Sequence, residues 1–465
     1  MKLVYGVHDK PKFGQLIAFS FQQLLAIMAA TIAVPRIIGN GMSASAALFG
    51  AGVGTLVYLL FTKFKSPVFL GSSFAFIGSM FAAFAGGVSM SLGYLGLIIG
   101  ALFAGLVYVL LAIIVKFVGV GWINKLMPAS VIGPTVAIIG LSLSANAVGD
   151  LQSGSVLDKA GNPTASVYLC ILCGLVTLAV TMICSVYGKK MSKMIPFIIG
   201  IVAGYGLAAI ITAIGIYDGN KALQIIDFSK FSDMQWYPDF TFLHAFRFGD
   251  FDYGKVGSMM SYITTIAVAY VPVAFVVFAE HIADHKNLSS IIEHDLLQDP
   301  GLHRTLLGDG IGSFAGSIFG GCPNTTYGES VGCVAISGNA SVVTILGTAI
   351  MAIVISFIAP FSTFLATIPS CVMGGVCISL YGFIAVSGLK MVQKVDLEDN
   401  RNLFTVAVIL ITGIGGLVVS VGAVTITSVA CALILGIITN AVLGGGKLVT
   451  DVETKSIVHK KRRKK

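Results

Sequence analysis

Charged side chains are scarce in this sequence. Asp, Glu, Lys and Arg together make up 11% of its 465 residues, whereas hydrophobic residues make up 56%. A soluble domain carries about 25% charged residues. A soluble fold of this length could not hide so much apolar surface from water, whereas a bilayer is itself apolar. The shortage of charge therefore excludes a soluble protein and indicates a chain that lies within a membrane.

Chemically reactive clusters are missing as well. The eight cysteines are scattered, and the one C-x-x-C pair, Cys170 and Cys173, lies inside an apolar run. A redox or metal role would require exposure and further ligands. No nucleophile–base set and no metal-spaced cluster occurs outside the apolar runs. We therefore expect no metal, no cofactor and no enzymatic activity.

Long apolar runs fill most of the chain. A helix needs about 20 apolar residues to cross the hydrocarbon core. Eleven runs have suitable length, at 14–38, 43–62, 91–118, 130–147, 167–187, 195–217, 259–283, 340–359, 364–388, 403–423 and 425–443. Three shorter or interrupted segments lie at 67–84, 303–319 and 324–338. The sequence thus predicts fourteen membrane segments.

The basic residues test this count. Fourteen segments place both termini on one side, and 23 of the 29 Lys and Arg residues then fall on that side. Cytoplasmic loops carry such an excess, so we predict a multi-pass protein of the cell membrane with both termini in the cytoplasm. The basic tail, 446–465, is expected to lie on anionic lipid headgroups rather than on nucleic acid.

The two halves of the chain echo each other. Gln22 in the first segment and Glu280 in the eighth are each followed, about fifty residues later, by a broken segment. One reads Ser-Ser-aromatic at Phe74 and the other Thr-Thr-aromatic at Tyr327. Because each half contains an odd number of membrane segments, the second seven must be inserted in the opposite orientation to the first seven. The predicted fold is an all-α polytopic membrane protein of two inverted seven-segment repeats, with short extended stretches in segments 3 and 10 that mark a solute site.

Acidic residues inside apolar segments identify candidates for the functional site. A charge in the hydrocarbon zone costs roughly 2.5–3.5 kcal/mol on insertion scales and indicates function. Glu280 and Glu329 lie on the two echoed motifs, and Asp309 and Asp284 lie near segment ends. Carboxyl groups that load and release a proton are what proton-coupled transport requires. Asp284 follows Glu280 by four residues, so both share one helix face and Asp284 can relay a proton.

Two histidines flank these carboxylates. His281 directly follows Glu280 and therefore points to another helix face. We expect it to pack or hydrogen-bond rather than bind the solute, and we include it among the candidates for proton coupling. His285 and Lys286 are expected to mark the cytoplasmic end of the segment.

The candidate site suits one kind of ligand. Carboxylates, free backbone N–H groups and the hydroxyl of Ser73 suit a neutral, planar solute with alternating donors and acceptors, and Phe74, Phe76 and Tyr327 can flank it. Two Glu would repel an anion, which would call for Arg or Lys instead.

The motifs together resemble the nucleobase–ascorbate transporter family, and the similarity covers nearly the whole chain. The residues that carry it are Gly71-Ser-Ser-Phe-Ala-Phe-Ile77, Ala279-Glu-His-Ile-Ala-Asp-His285, Pro300-Gly-Leu-His-Arg-Thr-Leu-Leu-Gly-Asp309 and Asn324-Thr-Thr-Tyr-Gly-Glu329. The resemblance implies a proton-coupled symporter that imports a nucleobase, of the uracil type because Glu rather than Gln stands at 329. Glu280 and Glu329 would hydrogen-bond the base, backbone groups at Phe74 and Gly328 would complete the contacts, and Tyr327 would shape the pocket.

The resemblance also implies a division of the chain and a homodimer. A core domain would comprise 1–128 and 259–360, and a gate domain would comprise 129–258 and 361–445, followed by the tail. The base would be exposed to the two sides alternately as the core moves against the gate.

The sequence departs from the family pattern at four places. Gln23 stands where His is usual, Asp284 where some uracil carriers have His, and Ser330 and Ser337 where the signature has Asn and Thr. Two alternatives therefore remain: a purine or xanthine proton symporter of the same fold, and an anion exchanger of the same architecture.

Overall fold

The computed structural model describes residues 3–443 except 120, 158–161, 190–191, 193–194, 233, 235 and 422–423. The basic tail predicted at 446–465 lies outside this described part of the chain. The first half contains α1 (Phe13–Ile38), α2 (Ala44–Phe61), β1 (Leu70–Ser72), α3 (Ile77–Ala83), α4 (Met90–Val118), α5 (Gly121–Leu126), α6 (Ala129–Ser142), α7 (Ser144–Asp150), α8 (Val167–Tyr187) and α9 (Pro196–Tyr217). The second half contains α10 (Thr241–Ala245), α11 (Met259–Ile292), α12 (Leu302–Gly320), β2 (Asn324–Thr326), α13 (Gly328–Ser337), α14 (Val342–Ser356), α15 (Ala359–Thr367), α16 (Ser370–Val392), α17 (Asn400–Ile414), β3 (Val419–Val421), β4 (Val424–Ile426) and α18 (Ser428–Leu443).

Long apolar helices dominate the architecture. Within the described residues, eight helical segments are long and apolar enough to cross a bilayer, with α6 and α7 forming one of them. The count reaches nine if α14 and α15, which meet at an angle of 86°, form one bent span. The chain is therefore a mostly helical, multi-pass membrane protein, as its composition predicts.

The full count of fourteen spans is not confirmed, because six of the predicted segments contain elements that are shorter or less apolar. Two of them, 67–84 and 324–338, are each a strand followed by a short helix. The run 403–423 was predicted as one span. In the structure α17 ends at Ile414 and a β3–β4 hairpin follows, so that prediction is wrong in its second half. The three Val residues at 418, 419 and 421 explain the difference, since β-branched residues favour strand over helix.

The two extended stretches predicted in segments 3 and 10 are present as strands, and they pair with each other. β1 runs antiparallel to β2, with Leu70 opposite Thr326 and Ser72 opposite Asn324. All six strand residues are buried. Non-helical backbone in a membrane protein must find its hydrogen bonds within the protein. The backbone N–H and C=O groups of β1 and β2 therefore hydrogen-bond to each other.

Glycines allow α2 and α12 to approach closely beside this ladder. A Cβ atom on Gly50 would collide with the Gly316 carbonyl oxygen, and a Cβ on Gly54 would lie 2.7 Å from the Gly312 oxygen. Small residues at such crossings let the backbones of membrane helices touch. The close crossing holds the two halves of the chain together next to β1 and β2.

An N-terminal strap, residues 4–9, supports the far end of α13. The amide of Val4 donates to the Gly338 carbonyl at 2.7 Å, and the amides of Ala340 and Val342 donate to Tyr5 and Val7. The strap thereby fixes the end of the short helix that carries Glu329.

Candidate carboxylate site

Glu280 and Asp284 lie one turn apart on α11, an unbroken helix of 34 residues that Ser258 caps. Positions four apart share a helix face. Most of α11 near them is buried, including His281 and His285, yet Glu280 and Asp284 each remain partly accessible. The face that carries the two carboxylates therefore borders space that the other faces lack.

Glu329 reaches the same region from α13. Tyr327 is extended, with φ −103° and ψ 122°, and forms the N-cap, so Glu329 lies in the first turn. A carboxylate in the first helical turn is favoured by the helix dipole. Gly328 is exposed and Glu329 is partly accessible, although the preceding strand residues are buried.

A hydrogen bond connects the two elements. Thr326 Oγ1 donates to Asp284 Oδ2 at 2.8 Å. Asp284 Oδ1 lies 3.7 Å from the position that a Cβ on Gly328 would occupy. Glu280 interacts electrostatically with Asp284, Glu329 and Asp309. The structure therefore brings together the carboxylates that the sequence singled out, and the charged groups that face one another here are all acidic.

Aromatic residues lie beside the strand ladder. Phe74 follows β1 and is only 8% exposed, and its ring meets the ring of Tyr381 edge-on at 5.7 Å between centroids. The Tyr327 hydroxyl donates to the Ser72 carbonyl at 2.8 Å, and its ring lies against Gly71, where a Cβ would collide with it. Tyr327 thus holds the strand ladder, while Phe74 contacts Tyr381 just after β1.

The strand ladder carries hydroxyls without partners. Among the described residues, the buried side-chain oxygens of Ser72, Ser73 and Thr325 have no hydrogen-bond partner. The Ser73 amide donates to the Pro323 carbonyl at 2.8 Å, so its backbone is satisfied while its hydroxyl is not. Buried polar groups normally find partners. A polar guest next to Ser73 would supply one.

The two histidines face away from this side of α11. His281 is fully buried, with Nδ1 2.7 Å from Asp309 Oδ2 and Nε2 3.0 Å from Thr305 Oγ1. The Asp309–His281 pair therefore lies behind the carboxylates rather than among them. The hydrogen-bonding position predicted for His281 is confirmed.

The structure places His285 inside α11 and not at its end. His285 is fully buried, and its ring stacks on His281 at 4.1 Å between centroids. Its Nε2 lies 2.7 Å from the Tyr58 hydroxyl. α11 continues to Ile292, beyond the apolar run 259–283, and Lys286 is exposed. Hydropathy ended the segment early because it counts a paired His as polar, although pairing makes its burial tolerable.

Two contacts near the site are not apparent from the sequence. Gln23 Nε2 donates to the Ser330 hydroxyl and carbonyl, and the Ser330 hydroxyl also lies 3.1 Å from the Phe69 amide. Two departures from the family pattern therefore contact each other, which no separate inspection of either position reveals. The contact of Tyr381 with Phe74 is the second, because the two residues lie 307 positions apart along the chain.

The arrangement can hold a polar solute but offers little to a metal. Within the described part of the chain, no group of three or more His, Cys, Asp or Glu residues is placed to bind a metal ion. The carboxylates are hydrogen-bond acceptors when ionised and can donate when protonated.

Comparison with known proteins finds relatives over nearly the whole chain. A model of the permease family matches residues 14–422. The uracil permease of Bacillus subtilis (strain 168) is 38% identical over 454 residues, which cover 96% of both chains. The uracil permease of Bacillus caldolyticus is 39% identical over 451 residues, or 96% of this chain and 95% of the relative. The uracil permease of Escherichia coli (strain K12) is 36% identical over 434 residues, or 93% and 92%.

Solved structures share the fold. The transmembrane domain of a cyanobacterium bicarbonate transporter, BicA, superimposes with a TM-score of 0.62 at 17% identity, covering 92% of this chain and 97% of that one. The murine anion transporter Slc26a9, in its inward-facing state, gives 0.62 at 12% identity, covering 94% and 69%. At these identities the likeness extends to architecture alone.

Proposed function

The chain belongs to the permease family of nucleobase–ascorbate transporters, and on that premise we propose that it is a proton-coupled symporter that imports uracil. Membership makes it a membrane transporter rather than an enzyme. One observation carries the choice of solute: Glu280, Asp284 and Glu329 converge beside the exposed Gly328, and within the described part of the chain the charged groups that interact with them are all acidic. The similarity to uracil permeases over more than nine-tenths of the chain supports the same choice.

Uracil matches the chemistry of the site. It is planar and neutral and carries two ring N–H donors and two carbonyl acceptors. Glu280 and Glu329 would accept from the N–H groups. The Gly328 amide, in the first turn of α13, has no partner within the helix and can donate to a carbonyl. Backbone groups at Phe74 and the Ser73 hydroxyl would complete the contacts, with the Tyr327 ring shaping the wall.

Proton coupling would use the same carboxylates. Like charges at close range resist simultaneous ionisation, so the group as a whole holds and releases protons in coupled steps. Asp284 is held by Thr326 and lies one turn from Glu280, which suits a relay from one carboxyl to the next. His281, paired with Asp309, would take part from behind the site. Glu329 would bind both the proton and the base.

We further infer two inverted seven-segment repeats around this site. The core domain would comprise 1–128 and 259–360, and the gate domain 129–258 and 361–445. The pairing of β1 with β2, one from each half, supports this symmetry. Transport would proceed by movement of the core against the gate, in a homodimer of the cell membrane with both termini cytoplasmic.

Two other solutes define the alternatives. A purine or xanthine carrier would need a wider pocket between Phe74 and Tyr381 but the same carboxylates. The bicarbonate transporter BicA and the anion transporter Slc26a9 have the same fold, which keeps an anion exchanger as the second alternative, but the acidic cluster here disfavours an anion.

Uptake by the purified protein tests the proposal. Proteoliposomes that contain it should accumulate labelled uracil when a proton gradient is directed inward, and a protonophore should abolish the accumulation. Competition by ten unlabelled bases would rank the solutes. Uptake of xanthine but not of uracil would refute the choice of base. Accumulation driven by a sodium gradient instead of a proton gradient would refute the coupling ion. Flux of bicarbonate or sulfate would favour the anion exchanger.

A further inference from the structure

A second polar cavity lies away from the carboxylate site, at the C-terminal end of α1. Its volume is about 430 Å³. Arg36, Gly39 and Met42 line it from the side of α1, and Asp150, Met373 and Cys377 line it from the side of α7 and α16. In the proposed division of the chain, the first wall belongs to the core and the second to the gate.

The cavity points towards the carboxylate site. Met373 and Cys377 lie on one face of α16, and Tyr381, one turn further on, touches Phe74. On the opposite wall, α1 leads from Ala33 back to Gln23, which bonds Ser330 next to Glu329. Both walls of the cavity therefore continue into residues of the site.

Arg36 fastens the two walls together. Its Nη1 donates to the Ala366 carbonyl at 2.9 Å, and its Nη2 donates to the carbonyl of Ile368. These carbonyls belong to the C-terminal end of α15, just before α16 begins. The last carbonyls of a helix lack helical partners, and cations are favoured there. Lys230 donates to the same Ala366 oxygen at 3.0 Å.

An alternative partner for Arg36 lines the same cavity. Asp150, at the end of α7, is close enough to interact electrostatically with Arg36, but the two are not within ion-pair distance in this state. Arg36 thus has two possible sets of acceptors: the carbonyls of the α15–α16 junction, or the Asp150 carboxylate. A side chain with two alternative partners on moving walls can act as a two-state latch.

We propose that this cavity is the entrance on the Arg36 side of the transport path, that Arg36 holds it closed through Ala366 and Ile368, and that Asp150 receives Arg36 when it opens. The inference rests on the proposed transport by alternating exposure. It assigns Arg36 and Asp150 a gating role separate from the binding of the base.

Cys377 provides a native reporter, because it lines the cavity and is 1% exposed. Its rate of modification by a charged, membrane-impermeant methanethiosulfonate should report opening, with Cys377→Ala as the background control. The reagent is added to one face of the membrane at a time. Arg36→Gln should increase the rate roughly tenfold or more, since it removes charged hydrogen bonds that favour closure. Arg36→Lys should give a smaller increase, because Lys lacks the forked geometry that reaches both carbonyls.

Asp150→Asn should act in the opposite direction and slow the modification, because the open state loses its acceptor. Size-exclusion profiles and melting temperatures would show that each variant is folded, and if Arg36→Gln fails to fold, Arg36→Lys and Asp150→Asn still decide the matter. Equal rates in the wild type and the Arg36 variants, or a rate in Asp150→Asn that is not below the wild type's, would overturn the latch. Labelling requires no solute, so the two proposals can fail separately. If the variants change the Cys377 modification rate but uracil is not taken up, only the proposed function is refuted. If the modification rate is unchanged but uracil uptake is normal, only this inference is refuted.

Discussion

Thr326 Oγ1 donates a hydrogen bond of 2.8 Å to Asp284 Oδ2 and so joins a strand residue of one broken segment to the helix that carries Glu280. This contact fixes the separation between α11 and the start of α13, where Glu329 lies. In the proposed mechanism, a movement of α13 on binding of a base is transmitted to Asp284 through this contact.

Thr326→Val should therefore uncouple base and proton. Val keeps the shape of the Thr side chain but lacks its hydroxyl. Loss of a hydrogen bond to a charged group costs roughly 1.5–3 kcal/mol. We expect uracil binding to persist while proton-driven accumulation falls about tenfold or more. Thr326→Ser, which keeps the hydroxyl, is the matched control. Equal accumulation by Thr326→Val and the wild type across the pH range would contradict the role of this bond.

Glu329→Gln should abolish uracil binding. The amide keeps the size but replaces one acceptor oxygen by a donor, which would face a ring N–H of the base. The measurement is a scintillation proximity assay with labelled uracil. Glu398→Gln serves as the control, because Glu398 is exposed in the loop before α17. Unchanged affinity in Glu329→Gln would remove this residue from the site.

Glu280→Gln should impair both binding and coupling. Glu280 faces the two other carboxylates, so its loss removes an acceptor for the base and a member of the proton-holding group. We expect weaker binding and a flattened dependence of uptake on the proton gradient. If exchange of uracil across the membrane and gradient-driven uptake both remained at wild-type levels, neither role would stand.

Gly50→Ala should destabilise the fold. The new Cβ would collide with the Gly316 carbonyl, which is main chain and cannot move aside. Overpacking of this kind costs roughly 1–3 kcal/mol. A lower melting temperature in detergent and a smaller folded fraction are the expected readouts. Gly206→Ala, at a helical position in α9 where a Cβ would meet nothing within 4 Å, should melt like the wild type; similar losses in both would contradict the packing argument.

The loop before α12 allows a pH prediction. Lys65 Nζ donates to both Asp299 carboxylate oxygens, at 2.7 and 2.9 Å, and this hydrogen bonding lowers the pKa of Asp299 from its usual value. A lowered folded-state pKa means that the pair stabilises the protein above the unfolded pKa of about 4 and loses that contribution as the pH falls through the folded pKa.

The expected size is small, at most about 1 kcal/mol, because both side chains are exposed to a third or more. Lys65→Ala should thus lower the melting temperature slightly at pH 7 and by progressively less as the pH falls below about 4, and high salt should remove the difference. Lys63→Ala is the neighbouring control. A decrease that does not shrink as the pH falls would point to packing of the Lys65 stem instead.

The sequence alone determined the class of protein and singled out the residues of its candidate site. Too few charges for a soluble fold, membrane-length apolar runs and acidic residues inside apolar segments at Glu280 and Glu329 can be recognised without coordinates, because solvation energies depend on residue type. The extended stretches at Phe74 and Tyr327 could also be predicted, since two polar, glycine-flanked motifs interrupt otherwise apolar segments.

Only the tertiary structure decided which of these residues meet. The pairing of β1 with β2, the contact of Thr326 with Asp284, and the bond of Gln23 to Ser330 join positions dozens to hundreds of residues apart, and no local pattern encodes such contacts. The structure also placed His285 inside α11, bonded to Tyr58, and it corrected the second half of 403–423, where a hairpin replaces a helix. Burial of a polar residue is decided by its partners, and partners are a property of the folded chain.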